Sequence, residues 1–136
     1  MNKKGFTLLE LLVVIAIIGL LLFFLVPNLL GVQDRGKEAA VKGVMHNVQL
    51  AIEAYNMENM TYPIGADIPL SSLCNNYLIA GGYLTAVPNN PFTGVAYTDS
   101  DSSGQIKYSY DDSTGKYTLI GYKRGGVFTI QTLSNM

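Results

Sequence analysis

One carboxylate stands where an acid is least expected. The chain begins Met1-Asn2-Lys3-Lys4-Gly5-Phe6-Thr7-Leu8-Leu9-Glu10 and then runs without a charge to Val26. A carboxylate within a membrane-crossing helix costs on the order of 2.5–3.5 kcal/mol even on the lenient insertion scale, so an acid in such a run marks function and calls for a partner. Glu10 lies near the start of the run, where the membrane interface relieves part of that cost. Other groups able to do chemistry are sparse. The chain has one cysteine and one histidine, with no metal-spacing pair and no Ser/His/Asp or Cys/His set. Cys74, among Leu73, Asn75 and Asn76, reads as a small half-buried side chain. His46, between Met45 and Asn47 on a helical pattern, reads as an ordinary helix residue. No phosphate-binding glycine loop or dinucleotide fingerprint occurs, and the chain is not read as an enzyme.

Oxygen ligands form one further constellation. Asp99-Ser100-Asp101-Ser102-Ser103-Gly104 places side-chain oxygens at alternate positions before a glycine, as in the opening of a calcium loop. The bidentate glutamate that closes such a loop is missing, because Tyr110 falls at its position. The stretch is read as a solvated hairpin loop with no metal and no cofactor. Calcium near Asp99 and Asp101 is the lesser alternative. Asn59-Met60-Thr61 matches a glycosylation sequon, a match common by chance, and carries no weight here.

Size and charge bound the rest. The chain has 136 residues, nine basic and ten acidic, with a net charge of −1. That is enough for one compact domain. With the apolar start in a membrane, about 100 residues remain for a soluble core. There is no basic footprint, so no nucleic-acid partner is expected.

The elements that must position Glu10 follow in order. At about 1.5 Å per residue, residues 6–26 make a helix of about 30 Å, the thickness of a hydrocarbon core. Lys3 and Lys4 would stay cytoplasmic by the positive-inside rule. A secretory signal has a shorter apolar region and a small-residue cleavage site, whereas this run ends Phe23-Phe24-Leu25-Val26-Pro27. A plain anchor fits the length and leaves Glu10 unexplained.

Lys4-Gly5-Phe6-Thr7-Leu8-Leu9-Glu10, followed by that long apolar run, resembles the cleavage motif of type IV prepilins and type II secretion pseudopilins. Gly19 and Pro27 also sit at the family's usual places in the stem. The resemblance implies a leader, 1–5, removed by a membrane-embedded prepilin peptidase that cuts between Gly5 and Phe6 and N-methylates Phe6. It implies a hydrophobic transmembrane and filament-core helix, 6–30, and a soluble head, 31–136. It supplies a partner for Glu10, because the α-amine freed on Phe6 is cationic at neutral pH. In a filament the Glu10 carboxylate of one subunit can meet the Phe6 amine of its neighbour. Either charge left unpaired in an apolar medium is strongly unfavourable, so the pair acts as a register device for assembly. Within one chain, Glu10 can instead serve its own helix N-terminus. Pro27 removes a helical hydrogen bond and Gly19 lowers propensity. The stem is therefore expected to be helical and kinked in a free subunit and to lose helicity between these residues in some filaments.

The head pattern predicts an α+β fold: the long helix, half transmembrane and half amphipathic, packed on a small antiparallel sheet. Val41, Val44, Met45, Val48, Ile52 and Tyr55, with Ala51, make an apolar stripe on a helix over 31–60. Lys42, Asn47, Gln49 and Glu53 are assigned to the opposite face. Pro63 ends the helix near 59–61 by forcing Tyr62 out of helical conformation. A Pro- and Gly-punctuated connector covers 61–94, with a short helix at about 69–80. The sheet covers 95–132, with strands near 106–110, 116–122 and 126–132, a fourth at 95–98, and hairpin turns at 111–115 and 123–126.

Val87-Pro88-Asn89-Asn90-Pro91-Phe92-Thr93-Gly94 resembles the proline-containing segment of the major, or G-type, pseudopilins, a group that commonly holds calcium in a sheet loop. Cys74 has no partner for the C-terminal disulfide of many long-fibre pilins. Together these favour a structural subunit of a type II secretion pseudopilus, a homo-oligomeric helical filament. Its expected partners are the prepilin peptidase, other pilins or pseudopilins, and the inner-membrane assembly platform. The subunit would wait in the inner membrane as a single-pass protein and end in a periplasmic or cell-surface filament. Two alternatives remain: a type IV pilin of a surface fibre for adhesion, motility or DNA uptake, and a monomeric single-span membrane protein with a periplasmic binding head.

Overall fold

The computed structural model describes residues 4–135. The chain divides into two compact units, Met1–Arg35 and Gly36–Met136. The first is stem alone. Helix α1, Leu8–Asn59, begins in it and carries Pro27 inside its run. Every described side chain from Phe6 to Pro27 is exposed, which follows from a helix apolar on all sides having nothing of its own to pack against. Proline at position 27 leaves the Phe23 carbonyl without its usual N–H donor, yet the helix is uninterrupted at Gly19 and at Pro27.

The second unit is the α+β head. Its segment of α1 turns Val41, Met45, Val48, Ala51 and Ile52 inward, all buried, with Val44 and Tyr55 packed at their edge. That is the expected stripe, spaced by three and four so that one face of the helix is apolar. Residue Met60 ends the helix with a left-handed φ of 56°, its N–H still donating to the Asn56 carbonyl at 2.8 Å.

Four antiparallel strands form one sheet in the order β1-β2-β3-β4: β1 is Ile68–Pro69, β2 Ile106–Asp111, β3 Lys116–Tyr122 and β4 Thr129–Ser134. Along β3 and the first half of β2 every second residue is buried, so Ile106, Tyr108, Tyr117 and Leu119 face the helix, as a period of two requires. A short helix, α2, Leu70–Leu73, runs into a π-type turn, Cys74–Leu78. These two place Leu70, Leu73, Cys74 and Leu78 in the core.

Three expectations are corrected. The fourth strand is not 95–98. Ala96 bridges Asn89, and the Tyr97 N–H donates to the Pro88 carbonyl at 3.0 Å, so that segment pairs within its own loop. The sheet's fourth strand is β1, against Tyr108 and Lys107 of β2. It is too short to show a period, and its proline is tolerated because the strand lies at an edge. Strand β4 begins at Thr129 and not at 126, because Gly125 and Gly126, at φ 80° and 73°, are spent on the turn.

Glu53 is the third correction. It is half-buried and accepts hydrogen bonds from the Tyr62 hydroxyl at 3.0 Å and the Tyr117 hydroxyl at 2.7 Å. The two rings meet at 4.9 Å, and Tyr108 stacks on Tyr117 at 5.7 Å. One carboxylate thus ties α1 to β3 and to the loop after α1. In sequence a polar residue at the margin of the stripe reads as solvent-facing, because the tyrosine hydroxyls that reach it come from outside the helix.

Two outcomes follow from this packing. A Cβ on Gly121 would come 2.5 Å from the Met45 sulfur and 3.4 Å from a Val41 methyl, so helix and sheet touch there. Gly121→Val should destabilise the head by about 1–3 kcal/mol, the usual cost of overpacking, as measured by thermal melting. Burial, and then the Glu53 carboxylate, raise the Tyr62 and Tyr117 hydroxyls above the ordinary tyrosine value. Groups raised on folding contribute stability that is whole below the unfolded value near pH 10 and is lost as pH rises through the folded values. The melting temperature should therefore fall above about pH 10, and less steeply in Tyr62→Phe. An equal slope in that variant would remove Tyr62 from the account.

Candidate functional site

The site expected around Glu10 is built by the first turn of α1. Thr7 stands at the N-cap, just before Leu8, and Glu10 is the third helical residue. The Glu10 N–H donates to the Thr7 hydroxyl at 3.2 Å. In return the Thr7 N–H and hydroxyl donate to Glu10 Oε2 at 3.0 and 3.1 Å. This is a reciprocal capping box, in which two backbone donors that a helix start leaves orphaned are satisfied by side chains. The acid also complements the positive end of the helix dipole.

Around this polar knot lie Phe6, Leu9, Val13 and Val14. Phe6 and Glu10 are both exposed, so the carboxylate is held at the start of an oily surface that nothing covers. Gly5 meets no heavy atom within 4 Å of where a Cβ would stand. Its backbone also lacks the positive φ that would favour glycine. The fold therefore makes no demand for glycine at position 5. Gly19 is likewise open on all sides. Sequence reasoning had Glu10 and overlooked Thr7, although Thr-x-x-Glu before an apolar run is a legible cap signal.

The other candidates are taken up by structural work. Asp99 accepts from the hydroxyls of Ser71 and Ser72, which hold its carboxyl below the usual value. For Asp101, burial pushes upward. Donation from the Thr98 N–H, the Asn90 amide and the Thr98 hydroxyl outweighs it, and the carboxyl lies below its ordinary value. Asn90, fully buried, links this loop to the Ser103 carbonyl at 2.8 Å and takes the Phe92 N–H at 2.9 Å. A cation would have to compete with protein donors on both aspartates. Among the described residues no group of three His, Cys, Asp or Glu side chains is placed to hold a metal. Asp111 accepts from Ser113 and Thr114 within its own turn. Cys74 is buried, and burial pushes its thiol up to about 12, so it stays a protonated core side chain. His46 is exposed on α1.

A helix apolar on every side, an acid in its first turn and a small α+β head define a membrane-anchored structural subunit of the pilin-like class. Comparison with known proteins gives the family. The prokaryotic N-terminal methylation motif matches residues 1–26. The chain is 31% identical to the type II secretion system core protein G of Klebsiella michiganensis over 136 residues, covering 87% of this chain and 95% of that one. It is 34% identical to the core protein G of Vibrio cholerae over 98 residues, 67% of this chain and 66% of that one. It is 43% identical to the type IV wide pilus major component PilA4 of Thermus thermophilus over 61 residues, 45% of this chain and 47% of that one. No solved structure matches the chain significantly. The chain belongs to the type IV pilin-like family, with the core proteins G, as a structural pseudopilin or pilin subunit. A monomeric ligand-binding head is set aside.

Proposed function

We propose that the chain is the major subunit of a type II secretion pseudopilus. The observation that supports this branch is the near full-length match to a core protein G. In this reading the precursor waits in the inner membrane with residues 1–5 cytoplasmic and the head across the membrane. A prepilin peptidase cuts between Gly5 and Phe6 and methylates Phe6. An assembly platform then draws the stem into a homo-oligomeric helical filament, with other pseudopilins, that extends into the periplasm. The role is structural, with no catalysis and no resident cofactor. The requirement for Gly5 comes from the peptidase, in keeping with a glycine that the fold does not need.

Glu10 then has two partners in succession. Before cleavage its carboxylate is occupied by Thr7. After cleavage the Phe6 amine of a neighbouring stem offers a full positive charge, a stronger hydrogen-bonding partner than a neutral donor. Without water, an unpaired carboxylate on the stem is disfavoured by several kcal/mol, so stems settle at the axial offset that pairs it. Between Gly19 and Pro27 the stem gives up helix in the filament, where Pro27 already lacks one backbone bond. A second reading, a type IV pilin of a surface fibre for adhesion, motility or DNA uptake, is favoured by the local 43% identity to PilA4.

Gly5→Ala should block or slow removal of residues 1–5, read as the mass of the N-terminal peptide. Glu10→Ala should leave a processed subunit that assembles poorly, read by electron microscopy of sheared filaments. Normal filaments from both variants would sink the proposal. Loss of the chain should stop release of folded exoproteins, whereas loss of twitching or DNA uptake with secretion intact would select the surface-fibre branch. Calcium titrated into the full chain in detergent should give no heat and no rise in melting temperature. A saturable exotherm with a higher melting temperature would return calcium to the loop at Asp99 and Asp101.

A further inference from the structure

The β3–β4 turn ends in two uncovered apolar side chains. Val127 and Phe128 are exposed to 76% and 70%, on a stretch from Gly125 to Met136 that carries no charged residue. The turn lies at the end of the head where α1 enters it. The Tyr117 hydroxyl reaches Glu53, Gly121 lies against Met45 and Val41, and the Lys123 ammonium is 3.6 Å from the Glu38 carboxylate. Strand β3 therefore runs back along α1 toward Gly36. The chain goes on past that level through residues 124–127, and Phe128 returns to accept the Lys123 N–H at 2.7 Å. Gly36 is the tenth residue after Val26, a tether of about 15 Å when helical. Met57, equally exposed, lies about 30 Å further along α1, at the opposite end of the head.

The turn is held from behind. The Gly125 N–H donates to the Ser103 hydroxyl at 3.1 Å, and the Gly126 N–H to the Lys123 carbonyl at 3.1 Å. A Cβ on Gly126 would sit 2.8 Å from the Ser102 carbonyl oxygen. The two side chains thus stand on a preorganised backbone, and little freedom is lost when they are covered. The charges nearby are engaged within the chain. Lys123 pairs with Glu38, and Lys37 and Arg124 lie over the Phe92 ring at 5.8 and 5.6 Å. Asp99 accepts from Ser71 and Ser72, and Asp101 from Asn90 and Thr98. What the turn offers outward is apolar surface rather than charge.

We propose that the Val127–Phe128 tip seats in the surface of the same bilayer that holds the stem, in the subunit waiting for assembly. The occupant follows from continuity. The apolar run of the stem is the chain's interface with lipid, and the tip is an exposed apolar feature at the end of the head from which that stem continues. Apolar side chains resting at the boundary of headgroups and acyl chains are a usual form of interfacial attachment. Two side chains would not hold a free protein on a membrane. Here the stem makes the first attachment, so the second is intramolecular and needs no further association step. The tip then fixes which side of the head faces the bilayer, and it must lift off when the stem is drawn from the lipid. This contact presupposes the membrane-anchored stem of the proposed function and neither of its filament branches.

The chain has no tryptophan, so Phe128→Trp places a single fluorophore at the tip and Met57→Trp one at the far end. Each full chain is put, one copy to a disc, into phosphatidylcholine nanodiscs with or without bromine on the acyl chains. A single copy leaves no second head to cover the tip. The Phe128→Trp emission should be shifted to the blue and quenched several-fold by brominated lipid, to the same extent with and without added phosphatidylglycerol. The Met57→Trp emission should stay at its value in water and unquenched. Val127→Asp added to the Phe128→Trp chain should remove most of the quenching and leave the melting temperature unchanged. An unquenched tip, equal quenching at both ends, or quenching only with phosphatidylglycerol overturns the contact, as does undiminished quenching in the Val127→Asp chain. None of these outcomes bears on filament growth. A quenched tip in a chain that never forms filaments would overturn the assembly reading alone.

Discussion

An ionised carboxylate on an apolar helix must have a partner at every stage of the protein's life, and much else in the stem follows from that. In the single chain the partner is local. Thr7 and Glu10 exchange three hydrogen bonds across the first turn, so the acid and the hydroxyl each satisfy one backbone donor that would otherwise lie bare at the helix start. The arrangement makes the acid tolerable in the monomer without any second molecule. It also keeps the carboxylate at the helix end and beside Phe6, where a new charge would be created by cleavage. A residue buried in mid-stem could not serve both states, because the cap exists only in the first turn.

The same helix must then meet two different surroundings. From Leu8 to Pro27 its side chains, Glu10 apart, are apolar and uncovered. From Val41 to Ile52 they are apolar on one face only and buried to that extent. The head can be small because it needs to cover one stripe rather than a whole cylinder, and four short strands with one helical turn suffice. Glu53 and Gly121 set how closely they approach. The carboxylate binds one hydroxyl from the sheet and one from the loop after α1, and the missing side chain lets Met45 lie against the strand. Removing one partner of such a half-buried polar set leaves the other without a mate, which costs more than the bond itself contributes.

Period and composition made much of this legible. The apolar stripe over 41–55 and the alternation in 106–110 and 116–122 appear in the structure as read, because burial on one face imposes those periods directly. What escaped was set by contacts that no period records, some distant in sequence and some within one loop. Ile68-Pro69 shows no period and becomes a strand because β2 offers it an edge. Val95-Ala96-Tyr97 shows one, yet it pairs with Asn89 and Pro88 of its own loop. Glu53 looked solvent-facing until tyrosines from 62 and 117 reached it. At the site, Glu10 was legible because an acid is costly in such a run. Thr7 was passed over because a hydroxyl is not.

Apolar surface alone cannot fix how stems of this kind lie beside one another. Burial of hydrocarbon is favourable at almost any axial offset, since the effect is non-directional and follows area. A charge pair behaves differently. Its formation contributes little net affinity once desolvation is counted, whereas its absence leaves two uncompensated ions, so it discriminates between offsets far more than it binds. One pair per interface still permits rotation about its own axis. A second contact, distant from the first and of a different kind, would remove that freedom.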